Sequence, residues 1–219
     1  FRWISHVRNY INNLTMRTFC VLLCMKTMDF RRSIQAAQFR ESVVGSALAR
    51  KFNLLFQPSP HQPTQGHSKS ADFGLLDPIN CNAWRVELQC CWHLNSIDDG
   101  KFAFELFTHD KDGTKRDGKL RYCDADWFVY NAPKLEQLFL FNWIPLKELI
   151  LDLYDQNKVD VLSYNQSTWK HDSNPIDLIL VEAKTILAEK GVKTFNYQEL
   201  NIPNIFFKTY ESTNSNHKN

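Results

Sequence analysis

Residues 70–92, S-A-D-F-G-L-L-D-P-I-N-C-N-A-W-R-V-E-L-Q-C-C-W, decide how the chain is read. Residues 71–76 are apolar apart from Asp72, which suits a short strand. Asp77-Pro78 and Asn80 to Asn82 carry turn chemistry. Residues 84–90 then alternate. Trp84, Val86, Leu88 and Cys90 share one face, and Arg85, Glu87 and Gln89 share the other. Pairing the two strands as a hairpin sets Asp72 beside Glu87. Two carboxylates and a neighbouring amide oxygen make an all-oxygen pocket. Such a pocket suits a hard divalent cation such as Mg²⁺, with water completing its shell.

Asp72, followed after a turn by Glu87-Leu88-Gln89, resembles the D…(D/E)-x-K signature of the PD-(D/E)XK nuclease superfamily, with Gln89 where the signature has Lys. Residues 122–149, Y-C-D-A-D-W-F-V-Y-N-A-P-K-L-E-Q-L-F-L-F-N-W-I-P-L-K-E-L, extend the resemblance. They order an acidic-then-apolar strand, a second apolar strand and a helix start as homing endonucleases and Holliday-junction resolvase-like members do. The resemblance spans residues 40–154 and implies a restriction endonuclease-like α/β fold, a mixed central β-sheet flanked by helices. It implies a Mg²⁺-dependent endodeoxyribonuclease, with Mn²⁺ as a substitute ion. Asp72 and Glu87 are then the metal ligands, and Asp72, Glu87, Gln89 and Glu41 the catalytic set. Glu41 enters because family members carry a glutamate on the helix before the active strands; a surface glutamate paired with Arg40 is the competing reading. Gln89 hydrogen-bonds a water without supplying positive charge. Lys101, on the next predicted strand, is the candidate to supply that charge. The alternative function is a nuclease-fold module that binds DNA or a protein partner without cutting.

The 219 residues fit one domain with an appendage, or two small domains. Hydrophobic content of 43% describes a chain that folds around a core. With 26 basic and 24 acidic residues, bulk charge does not announce nucleic-acid binding, which must come from local patches. The best patch is the turn at 109–119, where Lys111, Lys115, Arg116 and Lys119 are the candidate DNA-backbone contacts. A charged turn that serves only solubility is the other reading. The D-K-D-G start of that turn lacks the later ligands of a calcium loop. No apolar run reaches the roughly 18 residues of a membrane span. Six cysteines show no zinc-type pairing, which fits reduced thiols in a cytoplasmic protein.

Residues 1–28 stand outside the predicted fold; Met16, Met25 and Met28 are alternative starts, and the short apolar run at 19–25 has no cleavage site. Residues 29–51 have helical periodicity through Ile34, Ala37, Val44, Ala47 and Leu48. A polar loop with His61, His67 and Lys69 follows. Asp124 and Asp126 open a strand and either extend the acidic pocket or mark its start. Residues 138–141 are a fully apolar strand, and Pro145 starts a helix. Further on, Ser173-Asn174-Pro175 reads as the cap of an amphipathic helix lined by Ile176, Ile179, Leu180, Ala183, Ile186 and Leu187. The predicted organisation is thus a nuclease-like core at 29–155, a mainly helical C-terminal extension at 156–210 packed on it, and a disordered tail at 211–219. DNA is the predicted partner, with a homo-oligomer possible and no membrane.

Overall fold

The computed structural model describes residues 30–58, 71–90, 94, 96–110, 112–165, 175–189 and 191–203. The elements in chain order are α1 (Phe30–Phe52), β1 (Leu55–Pro58), β2 (Phe73–Leu76), β3 (Ala83–Cys90), β4 (Lys101–His109), β5 (Lys115–Asp117) and α2 (Lys119–Tyr122). Then come β6 (Trp127–Ala132), β7 (Gln137–Asn142), α3 (Trp143–Asp155), β8 (Asp160–Asn165), β9 (Pro175–Glu182), α4 (Ala183–Leu187) and β10 (Lys193–Asn196). The predicted loop residues 59–70, His93, Lys111, residues 1–28 and the 211–219 tail lie outside the described residues.

The strands form two sheets. A six-stranded mixed sheet has the order β1-β2-β3-β6-β7-β10, and a four-stranded sheet has the order β5-β4-β9-β8. In the larger sheet only β3 and β6 run parallel; its other pairs are antiparallel. Period-two alternation sends each central strand's side chains to two different neighbours. Val129, Leu138 and Leu140 face a layer containing Val44, Ala47 and Leu48 of α1. Phe128, Tyr130, Phe139 and Phe141 face the smaller sheet, through Phe102, Phe104 and Leu106 of β4 and Ile179 and Val181 of β9. This explains why residues 138–141 are apolar throughout: both faces of β7 are covered.

Aromatic rings dominate the layer between the sheets. The Phe102 ring meets Tyr130, Phe139 and Phe141 edge-on, with centroids 4.6, 5.3 and 5.6 Å away. Phe128 stacks on Trp143 at 4.4 Å, and the indole N–H of Trp143 donates to the Cys123 carbonyl at 3.1 Å. On the other face, Gly45 lets α1 close on the sheet; a Cβ there would lie 2.3 Å from the Phe56 ring. No helix among the described residues is long and apolar enough to cross a membrane.

The C-terminal part departs from the sequence-based expectation. Residues 175–182 are strand β9 at the centre of the smaller sheet, and helix covers only Ala183–Leu187. Apolar residues at 176, 178, 179, 180 and 181 satisfy either period, so spacing alone does not separate helix from strand. Partners decide: β4 on one side and β8 on the other offer β9 a complete ladder. Further along the same part of the chain, β10 pairs with β7 in the larger sheet.

Removing the Phe102 ring deletes the contact that joins three aromatic residues of the larger sheet. Phe102→Ala is expected to destabilise the fold by about 3–5 kcal/mol, read as a lowered urea midpoint with an unchanged slope.

Candidate active site

Hairpin β2–β3 sets the register of the two acids. Asp77 builds its turn: Oδ1 accepts the Ile79 amide at 2.8 Å, and Oδ2 accepts the Asn80 side-chain amide at 2.8 Å. Phe73 then pairs with Val86, so the next position along the ladder puts Asp72 across from Glu87. Strand β2 begins at Phe73, and the Asp72 carboxylate just before it extends the ladder, accepting the Leu88 amide at 2.8 Å. Glu87 points to the opposite side from Val86 and Leu88, into the region facing the smaller sheet, and is 5% exposed.

The positive charge at this pair is Lys119. Its ammonium donates to Glu87 Oε1 from the first residue of α2. Burial pushes the Glu87 carboxyl up to about 7, Lys119 opposes that rise, and the neighbouring Asp72 carboxylate adds to it. Burial alone disfavours the Lys119 ammonium, but Glu87 and Asp72 together outweigh it and hold the amine charged. Burial also raises the Tyr122 phenol to about 12 and the Cys123 thiol to about 11, so both groups beside the site are neutral at pH 7.

The remaining expected residues are distributed differently. Gln89 shares a face with Glu87, but its side-chain N–H donates to the Ala103 carbonyl of β4 at 2.8 Å. It serves as a strut between the sheets. Lys101, expected to replace the missing lysine, is instead bound to Asp160 at 2.6 Å and Glu182 at 3.4 Å on the smaller sheet. Glu41 is buried on α1, one turn before Gly45. That helix covers the face of the larger sheet opposite Glu87. Asp124 and Asp126 do not extend the acidic pocket: Arg85 binds Asp124 at 2.7 Å and Asp126 at 3.5 Å.

The basic hairpin is real, with β4 and β5 joined through a turn at Gly113, whose φ is +83°. Lys115 and Arg116 are exposed on it and paired within the fold, Lys115 with Asp177 at 3.2 Å and Arg116 with Asp110 at 2.5 Å. Lys111 lies outside the described residues, and Lys119 turns inward to the acids. Sequence reasoning placed Lys119 on the hairpin and missed its contact with Glu87. No periodicity links two residues 32 positions apart; the only local sign is a glycine immediately before the lysine.

Asp72 and Glu87 bring only oxygen donors, and among the described residues no group of three or more His, Cys, Asp or Glu side chains forms a metal-sized cluster. Two carboxylates with the other positions left to water match the way Mg²⁺ is held.

Glu87 ionises near 4.5 in the unfolded chain and near 7 in the fold, so the folded state holds the extra proton between those values. Its contribution to stability therefore declines as pH rises through that window. Lys119 is raised in the same sense but in a higher range: its contribution is complete below the ordinary lysine range and is lost only at alkaline pH. In a carbon-13 titration of the Glu87 carboxyl, Lys119→Met is expected to raise the midpoint and Asp72→Asn to lower it; unmoved midpoints would separate these groups from Glu87. Among known proteins, no family model, no curated sequence and no solved structure matches the chain.

Proposed function

We propose that the chain is a Mg²⁺-dependent endodeoxyribonuclease that hydrolyses DNA phosphodiester bonds, with Asp72 and Glu87 as metal ligands and Lys119 in the role the resemblance assigns to the lysine missing at position 89. The observation that carries this reading is the meeting of Asp72, Glu87 and Lys119 at the start of β2. Bound Mg²⁺ would lower the pKa of a coordinated water and neutralise charge on the phosphate. The residues of this chain do the rest. Asp72 has one carboxylate oxygen held by the Leu88 amide. Glu87 must give up its proton before it binds a cation, and Lys119 favours that loss. In this reading the Lys119 ammonium would steady the attacking water and the phosphate oxygens. Lys115 and Arg116 on the hairpin, together with Lys111, would grip the DNA backbone; Arg116 would exchange an ion pair near the surface for phosphate, and Lys115 would leave the buried Asp177 carboxylate to His109 and Ser163. The free thiols Cys81 and Cys123, among the described residues, suit a reducing, cytoplasmic setting.

One observation favours the second reading, a nuclease-fold module that binds DNA or a protein partner without cutting. Lys119 already satisfies one Glu87 oxygen, and Gln89 is tied to Ala103. Incubation with supercoiled plasmid and Mg²⁺ separates the two. Cutting that disappears in Asp72→Ala and falls by about 10²–10³-fold in Lys119→Ala is the expected result. Intact plasmid with retained DNA binding would favour the module, and cutting that survives Asp72→Ala would place the chemistry elsewhere.

Calorimetry supplies a second check. Mg²⁺ affinity is expected to rise with pH through about 7 as Glu87 loses its proton, and binding below that pH should release protons to the buffer.

A further inference from the structure

Lys119 reaches Glu87 from a one-turn helix, α2, that starts directly after strand β5. Something must hold that turn at one height above the larger sheet. The register of β4 against β9 shifts between Glu105 and Phe107, leaving Leu106 as the extra residue of a bulge. Gly118 lies on this bulge. Its N–H donates to the Leu106 carbonyl at 2.8 Å, and its own carbonyl accepts the Arg121 and Tyr122 amides at 2.9 and 3.2 Å. Both polar groups of one residue thus join β4 to α2.

The approach is as close as backbone permits. A Cβ on Gly118 would lie 2.7 Å from the Glu105 carbonyl oxygen and 2.8 Å from the Leu106 carbonyl carbon. Those atoms belong to a paired strand and have no side-chain torsion through which to retreat. The Gly118 φ of −83° is open to any residue, so the requirement is space and not backbone freedom. Leu120, 1% exposed in the layer between the sheets, fixes the next residue but one. With Gly118 and Leu120 both anchored, the position of Lys119 between them follows.

We infer that Gly118 and the Leu106 bulge form a seat that aims the Lys119 ammonium at Glu87, which makes Gly118 a positioning residue for the site. This rests on the reading of Asp72, Glu87 and Lys119 as the working centre. Its tests need neither metal nor DNA, so absence of DNA cutting bears on the nuclease reading alone.

Competitive acylation of lysine amines, followed peptide by peptide by mass spectrometry, reads the seat directly. In Gly118→Ala, with its fold checked by circular dichroism, Lys119 is expected to react several-fold faster than in the unaltered protein. Lys101, held by Asp160 and Glu182, should keep its rate. A folded variant whose Lys119 rate is unchanged overturns the inference. Amide exchange on the unaltered protein provides a decision that does not depend on the variant folding. The Gly118 amide should be protected as strongly as the amides of β4; exchange as fast as at Gly113 in the exposed turn overturns the seat.

Discussion

A carboxylate buried between two sheets has to be answered by a charge, and the answer to Glu87 organises this end of the molecule. Leaving such a group uncompensated costs several kcal/mol. The larger sheet offers no cation of its own at that point: Gln89 is neutral, and Arg85 lies on the same strand face but binds Asp124 and Asp126. Lys119 therefore comes from outside the sheet. For its ammonium to arrive, the β4–β5 hairpin must fold back, β4 must bulge at Leu106, and position 118 must carry no side chain. Asp72 completes the arrangement by extending the ladder with its side chain just before β2 begins.

The two sheets depend on each other through the same region. Strand β4 pairs with β9 along its length but with β5 only from Phe107 onward. At Ala103 its other edge is closed by side chains of the larger sheet, with the Ala103 N–H donating to the Tyr130 hydroxyl at 3.2 Å and its carbonyl accepting from Gln89. An unpaired edge inside a protein leaves polar groups that must find partners. That requirement accounts for an amide at position 89, since a lysine ammonium there would meet the same carbonyl at the cost of burying a second charge near Lys119.

Much of the larger sheet was legible because β3 alternates, because β7 is apolar throughout, and because Asp77 and its neighbours spell out a turn that leaves one register for β2 and β3. From that register the meeting of Asp72 and Glu87 follows without further information. Lys119 was not legible in its present role. Lys101 was nearer in sequence to Glu87, yet strand β4 directs it toward β8 and β9, where Asp160 and Glu182 hold it. Residues 175–187 misled for another reason. Their apolar positions fit both helical and extended spacing, and only the ladders from β4 and β8 select the strand.

By itself the chain's order of residues determined local geometry: which segments are strands of alternating character, where the hairpin turns, and which two acids face each other across it. These are short-range consequences of backbone sterics and side-chain period. Tertiary structure alone decided that there are two sheets, that the C-terminal strands belong inside them, and that the cation at Glu87 is Lys119. Each of those outcomes depends on which distant segment satisfies a buried hydrogen-bonding group or charge, and a partner dozens of residues away leaves no period in the sequence to read.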